Sequence, residues 1–285
     1  MNVKKDRIYK HVEYLTELYP ARNHENIKSL EKAASYIEIE FSKPEWIVEN
    51  QYFEVSGHEY RNVIASFNPE KDKRLIVGAH YDVCCDFPGA DDNATGVAGL
   101  LECARLLDEY KPELDYRVDF VAFCLEEPPY FGTSEMGSAF HAKSLLATKQ
   151  NVLGMICLDM IGCFSEKPGS QNFPMDELKS WFPGEGNFII VAGRSYQAEF
   201  TSKISKLINR ECTKAFPVID PRLKELLELS DHRNYIDIGI NAVMINDTAM
   251  LRNMNYHTEF DTIEKVDFDK MAEVIKGCYN AIICL

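Results

Sequence analysis

The chain has 285 residues, 46% of them hydrophobic, enough for one large α/β domain or two small ones around a sizeable core. Its 31 basic and 45 acidic residues give a net charge of −14, which disfavours polyanions, so neither nucleic acid nor an anionic membrane is expected as a partner. No segment reaches membrane-spanning length, the N-terminus has no leader pattern, and nine cysteines without a CxxC pair read as buried thiols of a reducing, cytoplasmic setting rather than a zinc ribbon, Cys103, Cys124, Cys157 and Cys278 among them.

From Lys5 to Phe41 apolar residues recur at helical spacing with a break at Pro20, which predicts two helices joined by a turn. Trp46 to Phe67 alternates like a hairpin broken at Ser56-Gly57, and Arg74 to Ala79 is a short apolar strand. Val97 to Tyr110 reads as a helix whose positive end Asp91, Asp92 and Asn93 would cap. A strand from Tyr116 to Leu125 ends at Glu126-Glu127, where Pro128-Pro129 forbids continuation. Ser134 to Ala147 suits a helix, and Val152 to Met160 a buried strand that also ends on an acid, Asp159. Glu166 to Gly186 reads as a long loop with a helical turn near Met175 to Trp181. It is followed by a strand at Asn187 to Gly193 and a helix at Gln197 to Cys212. Asp220 to Ser230 reads as an irregular wall before a short helix at Ser230-Asp231-His232; the last strand is Asn241 to Ile245 and the closing helix Asp267 to Ile283. Alternating strands and helices, with no repeat or linker, predict one three-layer α/β/α sandwich on a mixed, mostly parallel sheet.

In such sheets ligands bind beyond the carboxyl ends of the strands. His80, Asp82, Asp92, Glu126, Glu127, Asp159 and His257 all fall at strand ends or in the loops just after them. Two imidazoles among several carboxylates suit zinc, and more acids than one ion needs suit two ions sharing a carboxylate. His11, His58 and His141 match nothing in this set and read as surface or helix residues. Cys84-Cys85 has the chemistry to bind metal or to close a strained vicinal disulfide, but reads as loop packing, because nitrogen and oxygen donors already fill the site and adjacent cysteines rarely close well. Met160, Ile161, Tyr235 and Phe131 read as pocket lining or core, and Asp231-His232 as site wall or as a helix N-cap with Ser230.

Several motifs stand in order along nearly the whole chain: His80-Tyr-Asp82, Pro88-Gly-Ala-Asp-Asp92-Asn-Ala-Thr-Gly96, Glu126-Glu127 with Met136-Gly-Ser138, Leu158-Asp159-Met160, Ser230-Asp231-His232, and Tyr256-His257-Thr with Asp261-Thr262. Together they resemble the M28 family of zinc aminopeptidases. The resemblance implies the zinc-aminopeptidase (phosphorylase/hydrolase-like) fold over residues 1–285 as a single domain, with the N-terminal helices of 5–41 packed on it. It implies two zinc ions, with His80, Glu127, Asp159 and His257 as terminal ligands, Asp92 as the bridge and Asp91 outside the metal shell. It makes Glu126 the general base toward a metal-bridged water, Asp82 the acid holding the His80 ring, and Asp261 a similar support near His257. Tyr256 resembles a residue that polarises the scissile carbonyl. The implied partner is a peptide or small amide substrate, and the aromatic insertion from Pro128 to Met136 departs from the simplest members beside the base.

Three other readings compete. A single-zinc glutaminyl cyclase shares the scaffold but typically has one Asp in a Thr-Asp-Ser context where this chain has Asp91-Asp92-Asn93. M20-type dizinc deacylases use similar ligands but carry a lid domain for which there is no room. A non-catalytic, metal-stabilised binding module would leave the base without a task.

Overall fold

Residues 1–211 and 214–285 are described in a computed structural model of the chain. Eight strands form one sheet: β1 (Ile47–Val55), β2 (His58–Phe67), β3 (Lys73–His80), β4 (Arg117–Phe123), β5 (Asn151–Leu158), β6 (Ile189–Ala192), β7 (Ala215–Val218) and β8 (Ala242–Asn246). Their spatial order is β1-β2-β4-β3-β5-β8-β6-β7. β3 pairs in parallel with β4 and β5, β5 with β8, and β6 with β7; the β1–β2, β2–β4 and β6–β8 pairings are antiparallel. The expected mixed sheet, parallel at its centre, is therefore present. Leu75, Ile76, Val77 and Ala79 of β3 are all fully buried because helices cover both faces there.

The helices are α1 (Lys5–Thr16), α2 (Ile27–Phe41), α3 (Gly96–Tyr110), α4 (Gly137–Ala147), α5 (Ala198–Ile208), α6 (Lys224–Leu227), α7 (His232–Ile236) and α8 (Phe268–Ile283). Ile8, Val12 and Leu15 of α1, and Leu30, Ala33, Ala34, Ile37 and Phe41 of α2, fall on one face at helical spacing and enter the larger core with α3, α5 and α8. A smaller core on the opposite face gathers Ala142 and Leu145 of α4, Tyr235 and Ile236 of α7, and Leu223 and Leu227.

Several boundaries differ from expectation. β4 stops at Phe123, two residues early, and Leu125 takes φ +62; β5 stops at Leu158 and Met160 takes φ +53. These turns after the strands aim the acids that follow. α4 begins at Gly137 rather than Ser134. A Cβ at Gly137 would lie 2.2 Å from Asn62 Oδ1 and 2.5 Å from the Cys124 carbonyl, so the glycine of the Met136-Gly-Ser138 motif permits a close helix–strand approach. β7 is a strand the sequence did not suggest: Pro217 lies within it, which is tolerated because β7 is an edge. The expected helix from Gln197 ends on Cys212, which lies outside the described residues.

Candidate metal centre

The parallel strands deliver their acids and imidazoles to one rim. His80 closes β3, Glu126-Glu127 follow β4, Asp159 follows β5, and His257 sits in the loop after β8. Asp92 comes from the irregular segment before α3. Asp91 and Asp92 do not cap that helix. Asn93 does, accepting from the Gly96 N–H at 3.0 Å and the Met160 N–H at 3.1 Å, while its amide donates to the Leu158 carbonyl.

At the centre the Asp92 carboxylate is divided between the two imidazoles. Its Oδ1 lies 3.3 Å from His80 Nε2 and its Oδ2 3.1 Å from His257 Nε2. On the His80 side, Asp159 Oδ2 and Glu126 Oε2 each lie 3.8 Å from Nε2; on the other, Glu127 Oε2 lies 3.1 Å from His257 Nε2. Glu127 Oε1 and His257 Nε2 are buried without a hydrogen-bond partner. Buried polar atoms are nearly always satisfied, so converging donors left unbonded fit a cation. Donor atoms of His80, Asp92 and Glu127 all lie within 4.8 Å of one another, as do those of Cys84, Glu127 and His257. The thiol of Cys84 thus stands closer to the centre than loop packing required.

The electrostatics agree. Burial pushes Glu126 well above the usual carboxylate range and, with Asp92 nearby, takes Glu127 to about 7. Burial opposes charge on His257, but Asp92 and Glu127 outweigh it and raise its pKa to about 10; His80 is likewise raised against burial, by Glu126, Asp159, Asp82 and Asp92. Asp92 goes the other way, held down by both imidazoles despite burial. The site gathers protons because its negative charge is crowded, and a divalent cation would replace them.

The supporting acids act on backbone amides more than on the rings. The Asp82 carboxylate lies 3.7 Å from His80 Nδ1, whose hydrogen-bond partner is the Asp82 carbonyl at 3.2 Å. Its two oxygens instead accept from the N–H groups of Glu126 (3.1 Å) and Glu127 (3.0 Å). Asp261 accepts from the N–H groups of Asp91 and Asp92 rather than from His257. Asp91 turns away from the centre, accepting from Gly162 N–H at 3.0 Å and Asn253 Nδ2 at 2.9 Å. It forms a separate group with Cys163 and Asp247, in which burial and Asp247 push its pKa well up. Tyr256 stacks on the His257 ring at 3.8 Å between centroids and shares its cavity. Asp231 and His232 are fully buried and outside the cavity wall, and Asp231 makes no cap bond; both its oxygens are unpartnered, with burial raising its pKa to about 7.

A cleft of about 1040 Å³ opens from the donors. The segment at Asp220 to Ser230 forms part of its wall, as expected, through Leu223, Leu226, Leu227 and Leu229. Met160 and Phe131 line it, whereas Ile161 and Tyr235 are core. The loop of 166–186 also lines it, through Phe173, Leu178 and Phe182, and its apolar residues within a polar stretch are the signal in the sequence. His141, in α4, is not a surface residue: it is buried with Nδ1 2.6 Å from the Tyr235 hydroxyl. His11 is buried in α1 against Tyr36. Arg22, which no motif marked, lies behind the site with only 1% exposure. It donates to the carbonyls of Tyr81, Leu15, Pro88 and Gly89 at 2.7–3.0 Å.

Among curated proteins, the chain is 38% identical over 281 residues to YfbL, an uncharacterised protein of Escherichia coli (strain K12), covering 95% of this chain and 85% of that one. It is 25% identical to leucine aminopeptidase 1 of Sclerotinia sclerotiorum over 74% of its own length, spanning about half (52%) of that relative. Its fold matches the crystal structure of Bacteroides thetaiotaomicron glutaminyl cyclase with a TM-score of 0.74 at 21% identity, over 99% of this chain and 98% of that one. The model of peptidase family M28 matches residues 62–282, from the strand that carries Asn62 through the closing helix, and so takes in every donor described above. The chain belongs to peptidase family M28.

Proposed function

We propose that the protein is an aminopeptidase that hydrolyses the N-terminal peptide bond of peptides, or a related small amide, at a pair of zinc ions with Glu126 as general base. His80 and Asp159 would hold one ion, Glu127 and His257 the other, and Asp92 would serve both. The observation that carries this reading is the division of the Asp92 carboxylate, one oxygen toward each imidazole. When bound, zinc at such a site polarises the scissile carbonyl and acidifies water.

The remaining work falls to side chains. Glu126 takes a proton from the attacking water and returns it to the leaving amine, a transfer suited to a carboxyl whose proton affinity burial has raised well above the usual carboxylate range. Asp82 keeps Glu126 and Glu127 pointing to different tasks by fixing both their amides. Tyr256, held against His257, offers its hydroxyl to the carbonyl oxygen as it gains charge. The apolar cleft takes the side chain beside the scissile bond and favours apolar residues there.

The glutaminyl cyclase reading needs one ion and would leave one of the two donor sets idle. The two readings part in one experiment: metal analysis combined with turnover of aminoacyl, acyl and N-terminal glutaminyl substrates. Two zinc ions per chain with release of apolar N-terminal residues is expected; one ion with cyclisation of glutamine would overturn it. Glu126→Gln should abolish turnover while the metal content stays at two, and activity retained in that variant would remove Glu126 from its role.

A further inference from the structure

The segment between β3 and Asp92 carries a vicinal thiol pair that the reaction does not use. The Sγ atoms of Cys84 and Cys85 are 3.7 Å apart, so the two are separate thiols; Cys85 is exposed and Cys84 half-buried. Cys84 lines a small recess together with Asp92 and His257. Its Sγ, one carboxylate oxygen of Glu127 and one ring nitrogen of His257 lie within 4.8 Å of one another. Glu127 is only 4% exposed, and its Oε1 has no hydrogen-bond partner. The loop that places the thiol there is fixed from outside. Arg22 binds the carbonyls of Tyr81, Pro88 and Gly89, the Val83 N–H donates to the Arg22 carbonyl at 3.1 Å, and the Asn23 amide binds Cys85 O and Asp86.

We propose that Cys84 is a further donor to the ion that Asp92, Glu127 and His257 hold, an inference that rests on the metal-site assignment above. On binding, the thiol gives its proton to solvent and its sulfur forms the bond to the ion, one proton released for one bond made. Asp92, Glu127, His257 and Cys84 then complete four protein donors. Four-donor zinc positions are closed, whereas catalytic ones keep an opening. This ion therefore has a resting state capped by sulfur, and the substrate must displace Cys84 to reach it. The His80 and Asp159 side has no such cap, so the two positions differ in access. The soft donor also favours zinc over magnesium or manganese.

The test uses the full chain with cobalt(II) in place of zinc, as wild type, Cys84→Ser and Cys85→Ser. A thiolate-to-cobalt charge-transfer absorption in the near ultraviolet is expected in the wild type and Cys85→Ser and absent in Cys84→Ser. In a parallel mass-spectrometric measurement zinc should protect Cys84, and not Cys85, from maleimide. Zinc affinity at the position of Glu127 and His257 should fall about tenfold or more in Cys84→Ser. Two cobalt ions bound without the absorption, or the absorption persisting in Cys84→Ser, would overturn the sulfur donor and leave the proposed hydrolase standing. No cobalt bound to the wild type would overturn both.

Discussion

Replacing Arg22 by alanine tests whether the N-terminal helices belong to the same folding unit as the site. The guanidinium is fully buried and makes four hydrogen bonds to main-chain carbonyls, at 2.9 Å to Tyr81, 3.0 Å to Leu15, 2.7 Å to Pro88 and 2.8 Å to Gly89. Burial lowers its pKa to about 10, against the pull of Asp82, Asp92, Asp261 and Glu127, so it remains charged at neutral pH. Hydrogen bonds from a charged donor are worth roughly 1.5 kcal/mol or more each, about 6 kcal/mol for four. Gly89 O retains the Ala94 N–H at 3.2 Å, and water can enter the space left, so the net loss falls to about 3–5 kcal/mol, at roughly 1–3 kcal/mol for each carbonyl left without a partner. Urea unfolding of the metal-free protein measures it, and a zinc titration of the same variant should show weaker binding because the loop from Tyr81 to Gly89 loses its brace. A loss below about 1 kcal/mol with zinc affinity unchanged would refute the reasoning and separate residues 5–41 from the site.

His141 should impose an acid limit on stability. Burial lowers its pKa from 6.5 to about 4, so the unfolded chain takes up a proton that the folded chain refuses across that interval. Its contribution is intact above pH 6.5 and is lost as pH falls toward 4, amounting to about 2 kcal/mol between pH 7 and pH 5. His141→Gln should flatten that part of a urea-stability profile of the metal-free protein, and an unchanged slope would show that His141 is not the group responsible. Leu227→Trp narrows the cleft away from the donors; kcat/KM for substrates with large apolar N-terminal residues should drop about tenfold or more while zinc content is unchanged. Equal effects on alanyl and leucyl substrates would place the side-chain pocket elsewhere.

The central strands, the two N-terminal helices and the donor set could be read from the sequence because each rests on a short-range signal. β3 and β5 carry apolar runs, the first ending on His80 and the second followed at once by Asp159, and prolines come just past Glu126-Glu127. What escaped reading depends on long-range contacts. Nothing around Arg22 indicates that it will meet carbonyls nearly seventy residues later. Part of the task of Asp82 escaped for the same reason. The resemblance implies that its carboxylate supports His80, whose Nδ1 lies 3.7 Å away, and the pairing of β3 with β4 also brings it under the amides of Glu126 and Glu127. β7 carries a proline that argues against a strand until its edge position is known. The loop of 166–186 has no period, so its scattered apolar residues are the one signal in the sequence, and packing makes them a cleft wall.

The single carboxylate of Asp82 also limits how this centre can vary. Because one group grips two consecutive peptide units, Glu126 and Glu127 move as one rigid piece, indexed to the end of β3. Asp82→Asn would turn one acceptor into a donor facing an N–H, tilting that piece and misplacing Glu126 and Glu127 together. A change that shifts Glu126 must therefore also disturb Glu127, and drift at either position is constrained by Asp82.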